Sequence, residues 1–260
     1  MRLLSRLLTA FAVLFSLASP SLADQLQDIL DRGTIRIGVI ADVAPFGFLD
    51  ENQKPAGLDI DVANLIGQEL GVKVELVPMT APNRLPNLVT DQVDILVALL
   101  SLTSERAKQI MFTSPYSSTT IGVFGEAGAA VTSPETIGGL SIGVTRGTVE
   151  DNAITRLAPN ANIVRFEDNA TATTAYQTKQ VDLYATADIV AYELNKNPDS
   201  RRLDLKIPMG ADLVYMGVKQ GEFGMLRWLD SFIHLNLLNG KLNEFTLKWL
   251  SVPLATLPTL

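Results

Sequence analysis

Gln92-Val93-Asp94-Ile95-Leu96-Val97 and Gln180-Val181-Asp182-Leu183-Tyr184-Ala185 are the two stretches that decide the fold. Each opens on the same three residues and passes at once into an apolar run, as a strand buried on both faces of a parallel sheet does. What precedes each copy is also alike. Ile35-Arg36-Ile37-Gly38-Val39-Ile40 and Val72-Lys73-Val74-Glu75-Leu76-Val77 read as two strands before the first copy. Leu140-Ser141-Ile142-Gly143-Val144 and Ala161-Asn162-Ile163-Val164-Arg165-Phe166 stand in the same order before the second. Short β-like runs alternating with helical patterns mark an α/β fold. A period this long means a repeated lobe rather than a solenoid, so two similarly wound α/β lobes are expected.

Working outward, a helix is predicted from Asp59, with Leu58, Val62, Leu65, Ile66 and Leu70 on one face. Asp59 and Asp61 suit its first turn, where the dipole favours acids, and Gly71 supplies its stop. A crossover between lobes is expected near Ile121 to Phe124, after Pro115-Tyr116, followed by a lobe-edge loop from Gly125 to Ala130. The tail from Phe223 to Trp249 is again helical and is expected to return to the first lobe, making that lobe discontinuous. The expected division is 24–120 plus 211–260 for lobe 1 and 121–210 for lobe 2. Trp228 and Trp249 read as core, and the lone His234 as a helix-surface or packing residue.

The first residues read as an address. Arg2 and Arg6 precede the apolar run Leu7 to Leu17, and Ser21-Leu22-Ala23 places small residues at a cleavage site before Asp24. The run falls short of the roughly 20 residues that span a bilayer, so residues 1–23 are expected to be a cleaved signal peptide and the protein to be periplasmic. Cleavage leaves 260 − 23 = 237 residues and, without Arg2 and Arg6, 21 − 2 = 19 basic against 28 acidic side chains, a net charge of −9. An acidic chain without a basic run argues against nucleic acid as a partner. The absence of cysteine rules out disulfides, thiol nucleophiles and thiolate metal sites.

No catalytic constellation stands out. One histidine and no cysteine exclude a Cys–His pair and most His-based metal sites, and no P-loop or dinucleotide loop is present. No enzyme activity, metal or cofactor is expected. What does recur is machinery for an anion at helix starts. Ser101-Leu102-Thr103-Ser104-Glu105-Arg106 follows the third strand, with Thr103 or Ser104 as a cap and Arg106 offering a planar fork to a carboxylate. Gly147-Thr148-Val149-Glu150-Asp151 repeats the arrangement in the second lobe, with Thr148 as cap and Asp151 in a capping-box position. Both lie beyond the carboxyl ends of strands, where open α/β sheets bind ligands. Either motif alone is ordinary capping; two on paired lobes point to a carboxylate between them.

These residues resemble the family 3 bacterial solute-binding proteins for polar amino acids, from about Gly33 to Pro258. The resemblance is carried most specifically by Gly57-Leu58-Asp59-Ile60-Asp61-Val62 with Ile66-Gly67 and Leu70. Ala44-Pro45-Phe46-Gly47-Phe48, the Ser101–Arg106 segment, Phe112-Thr113-Ser114-Pro115-Tyr116 and the tail from Asn239-Gly240-Lys241 to Trp249 add to it. It implies a type II periplasmic-binding-protein fold with the ligand in a cleft between lobes, and the role of a monomeric receptor that delivers an amino acid, acidic or polar, to an inner-membrane ABC permease. It also implies that Arg106 takes the α-carboxylate with help from Ser101 and Thr103, and that Gly147 and Thr148 add backbone donors.

Three positions depart from the pattern of that family. The Asp expected to hold the ligand's ammonium falls on Ala187. Its neighbour Asp188 either substitutes or merely caps the helix Ile189 to Leu194. The aromatics that often cover the ligand fall on Val43 and Ala81. Against these losses stands Asn83-Arg84, similar to a segment of acidic-amino-acid binders, where Arg84 either pairs with a side-chain carboxylate or is a solvated surface residue. Arg146 beside Gly147 either adds positive charge or points to solvent. Two rival readings share the fold: a cyclohexadienyl or arogenate dehydratase, whose acid/base would have to come from Asp188 or Asp42, and a sensory or partner-binding module.

Overall fold

The computed structural model describes residues 25–258, so the expected signal peptide at 1–23 lies outside the described residues. Helix α1 (Gln25–Arg32) leads into β1 (Thr34–Ile40) and a small ribbon of β2 (Asp42–Val43), β3 (Gly47–Leu49) and β4 (Pro55–Ala56). Next come α2 (Leu58–Leu70), β5 (Lys73–Met79), α3 (Arg84–Val89), β6 (Ile95–Ser101) and the short α4 (Ser104–Ala107). The long strand β7 (Ile110–Gly125) carries the chain to β8 (Ser141–Thr145), α5 (Val149–Leu157), β9 (Asn162–Phe166), α6 (Asn169–Gln177), β10 (Leu183–Ala187) and α7 (Asp188–Asn195). An equally long β11 (Asp204–Lys219) brings it back to α8 (Phe223–Leu238) and α9 (Lys241–Leu250).

The main sheet has the order β5-β1-β6-β11-β7-β10-β8-β9. Its centre is the antiparallel pair β7 and β11, in register from Asp204↔Gly125 to Lys219↔Ile110. The parallel set β5-β1-β6 hangs from one end of this pair through β11, and the parallel set β10-β8-β9 from the other end through β7. Two lobes are thus joined by two continuous strands. The crossover predicted near Ile121 begins earlier, at Ile110, and runs straight through Pro115. Proline gives no N–H to a ladder, and the register shifts there, Tyr215 facing Pro115 while Val214 faces Ser117. The skipped residue, Tyr116, turns its hydroxyl into the first lobe.

The repeated Val-Asp lies just before each strand rather than within it, and the two acids do the same work. Asp94 accepts from the backbone N–H of Arg36 at 2.7 Å, and its own N–H donates to the Arg36 carbonyl at 2.8 Å. Asp182 accepts from Ser141 N–H at 2.8 Å and donates to the Ser141 carbonyl at 3.1 Å. Each stitches the third strand of its lobe to the first.

The start of α2 explains why the Gly57–Val62 motif occurs together with the Ala44–Phe48 stretch. Leu58 and Asp59 donate their N–H groups to the Pro45 and Phe46 carbonyls at 3.0 and 2.8 Å. Gly57 makes that approach with φ 129°, and a Cβ there would lie 2.3 Å from the Phe46 oxygen. The tail helices pack on the first lobe: Met225, Leu229, Phe232 and Leu242 share one core with Ile35, Ile37, Val62 and Ile66. Trp249 donates its indole N–H to Asp61 at 2.7 Å, and His234 is exposed.

Candidate functional site between the lobes

A cavity of about 40 Å³ lies where the lobes meet beside the β7–β11 pair. Its apolar wall includes Val43, Ala81 and Ala187, the positions where the family resemblance leads one to expect two aromatics and an acid. Its polar lining comes from both lobes: Arg84, Ser101 and Asp212 on one side, Thr145, Thr148, Glu150 and Asn169 on the other.

Arg84 is buried at the start of α3. Its Nε donates to the Ala81 carbonyl at 3.0 Å, and Nη1 to the carbonyls of Ala98 and Leu99 at 3.0 and 2.7 Å. These bonds fix the guanidinium and leave Nη2 donating to no described residue. Leu99 is held in the left-handed region, φ 45°, unusual for a branched side chain. Asp59 holds it there: it accepts Leu99 N–H at 2.8 Å and the Tyr116 hydroxyl at 2.6 Å. The first acid of the signature helix, read from sequence as a dipole partner, is therefore a buried support beneath the cation. Burial pushes its carboxyl up to about 7 despite those hydrogen bonds. Burial, and then the neighbouring charge of Arg106, lower Arg84 to about 9.

Arg106 projects from α4, whose first turn is capped by Thr103 accepting the Arg106 N–H at 3.2 Å. Its Nη1 donates to the Ser101 carbonyl at 2.7 Å, and its Nη2 reaches across to the Gly147 carbonyl at 2.8 Å. The lobes meet again at Asp42. Its carboxylate accepts the backbone N–H of Asn169 at 2.8 Å and the Asn169 side-chain amide at 3.2 Å, at the N-terminus of α6, where a negative charge is favoured. Asn169 in turn accepts from the Thr145 hydroxyl at 2.9 Å.

The structure brings Arg84, Ser101 and Thr148 to the cavity, with Arg106 bridging the lobes beside it. It places others elsewhere. Asn83 is exposed, its amide turned back to the Thr80 hydroxyl at 2.9 Å. Thr103 is occupied as a cap and does not line the cavity. Ser101 lines it but donates to Asp212 at 2.5 Å. Gly147 offers its carbonyl to Arg106, while its N–H is taken by Asp151 at 3.2 Å. Asp188 does not line the cavity. As first residue of α7 it turns its carboxylate to the Thr120 N–H on β7, at 3.2 Å, and faces a surface depression behind the crossover strands. Asp42, the other candidate acid, is engaged in the contact with α6. Arg146 points to solvent and pairs with exposed Glu167 at 2.8 Å.

Sequence reasoning missed Asp212, Glu150, Asn169 and Thr119. Asp212 lies on β11 and Thr119 on β7, within runs that read only as crossover strand. Glu150 stands within the second helix-start motif, but the sequence reading assigns roles there only to Gly147, Thr148 and Asp151. Burial raises both Asp212 and Glu150 above the usual carboxylate range.

A polar cavity between two lobes joined by two long strands, carrying charges of both signs, is the architecture of a two-lobed solute-binding protein. The sequence profile of the bacterial extracellular solute-binding proteins, family 3, matches residues 35–252, and the chain belongs to that family. The chain is 26% identical over 232 residues to the ABC transporter glutamine-binding protein GlnH of Bacillus subtilis, covering 87% of this chain and 85% of that one. It is 28% identical over 254 residues, 94% of each chain, to the cyclohexadienyl dehydratase of Pseudomonas aeruginosa. Among solved structures, the cysteine-binding protein from Campylobacter jejuni is similar with TM-score 0.82 at 28% identity, over 87% of this chain and 93% of that one. The architecture is the type II periplasmic-binding-protein fold. Among the described residues no helix is long and apolar enough to cross a membrane.

Proposed function

We propose that this chain is the periplasmic receptor of an ABC import system, a non-enzymatic protein that closes on an amino acid and presents it to an inner-membrane permease. The observation that carries the reading is the convergence of two buried guanidinium groups on one interlobe cavity, one lining it and one bridging the lobes. The α-carboxylate is assigned to Arg106 and the N-terminus of α5 at Thr148, where it displaces the Arg106–Gly147 contact. Arg84 then offers its remaining Nη2 to a polar or acidic side chain. The hinge is assigned to the rungs Thr119↔Asp212, Thr120↔Ala211 and Ile121↔Gly210 of the β7–β11 ladder. This divides the chain into 24–120 plus 211–260 and 121–210. Removal of residues 1–23 completes the reading.

A thermal-shift screen of the twenty L-amino acids and small dicarboxylates tests it. A true ligand at 100 times its Kd adds about 2.7 kcal/mol to stability; no shift with any of them contradicts the reading. A second reading, a cyclohexadienyl dehydratase, has one observation in its favour, the half-buried Glu150 carboxyl lining the cavity, a candidate general acid. Incubation with prephenate or arogenate decides it: the receptor reading predicts no aromatic product by ultraviolet absorbance.

A further inference from the structure

The cavity of this family member lacks an acid after β10, because that place is Ala187 and Asp188 is turned to the hinge. Yet it is not short of acids. Asp212 enters from β11 and Glu150 from the first turn of α5; Glu150 feels the charges of Asp212 and Arg84, and Asp212 those of Arg106 and Arg84. Among the described residues, none of Arg84, Arg106, Asp212 and Glu150 forms a salt bridge with another. Two cations and two acids kept close but unpaired around one cavity are a lining complementary to a zwitterion. Thr119, about nine-tenths buried on the same wall, has a hydroxyl without a hydrogen-bond partner among the described residues. A buried hydroxyl left so costs stability unless a ligand engages it.

We propose that Asp212 and Glu150, one from each side of the cleft, hold the ligand's ammonium group, with Thr119 as a further polar contact. The inference rests on the receptor reading above and supplies its missing half. Because one acid stands on a hinge strand and the other on the second lobe, an ammonium between them also ties the lobes together. Asp212 keeps its Ser101 hydrogen bond through one oxygen, leaving the other for the ligand.

The test uses the full mature protein and the twenty L-amino acids, then the strongest binder against its α-hydroxy analogue, which keeps carboxylate and side chain but loses the ammonium. Affinities are measured by calorimetry for wild type, Asp212→Asn and Glu150→Gln, with folding checked by circular dichroism. Each substitution is expected to weaken the amino acid about tenfold or more, the loss of one charge-assisted hydrogen bond. The hydroxy acid should lose little, so the preference for ammonium collapses. Equal loss for both ligands, or no loss for either, overturns the assignment while leaving the receptor reading in place. A wild-type protein that prefers the ammonium form no more than the hydroxy form also overturns it. A wild-type protein that binds no amino acid overturns the receptor reading and this inference with it.

Discussion

Asp59 shows how much one side chain can do out of sight of the ligand. It fixes the strained Leu99 backbone, whose carbonyl, with that of Ala98, fixes Arg84. Its carboxyl is raised on folding from the usual 3.8 to about 7, so the native state holds this proton more tightly than the unfolded chain does. Its contribution to stability is complete below the unfolded value and is lost as pH rises through about 7. Urea unfolding across that window should show stability falling, and Asp59→Asn should flatten the slope. Asp212 and Glu150, also raised, leave a remainder; an unchanged slope would contradict the assignment. Arg84 makes the complementary point. With three backbone carbonyls satisfied by its guanidinium, Arg84→Met strands buried acceptors, each at about 1–3 kcal/mol, so thermal stability should drop as well as affinity. Arg84→Lys should recover charge but not the fork.

At the scale of elements, helix starts do most of the positioning. Thr148 caps α5 by accepting the Asp151 N–H at 3.2 Å and donates to the Thr145 carbonyl at 2.9 Å. Thr148→Ala should cost about 1 kcal/mol in unfolding free energy and weaken binding too. The start of α6 meets the first lobe at Asp42, which does not line the cavity. Asp42→Ala should weaken ligand binding by roughly tenfold, the worth of one hydrogen bond to a charged group, and enlarge the unliganded protein in small-angle scattering. An unaltered radius would remove Asp42 from the closing mechanism. These elements also show what was legible in the sequence. The strands were readable because each is a short apolar run with its own punctuation, and the repeated Val-Asp betrayed two similar lobes. Arg106 and Thr148 were readable because caps and forks have local signatures. Asp212, Thr119 and Asn169 were not, since their roles come from strands and helices of different lobes meeting in space. Asp188 misled for the same reason: sequence adjacency to Ala187 says nothing of which way the first turn of α7 faces.

For the whole molecule, β7 and β11 are, among the described residues, the strands that run from one lobe to the other, and under the proposed reading ligand affinity and closure are therefore one equilibrium. Two contacts cross the cleft, Arg106 to Gly147 and Asp42 to Asn169; in the proposed reading a ligand touching both sides replaces the first and adds to the second. The central claim is that an amino-acid carboxylate is received at Arg106, and calorimetry on the wild-type protein and Arg106→Ala, using the L-amino acid that gives the largest thermal shift, tests it most directly. The prediction is loss of affinity by about a hundredfold or more, a charge-assisted pair with two hydrogen bonds removed, with circular dichroism unchanged. An affinity equal to wild type, with the same fold, would contradict it.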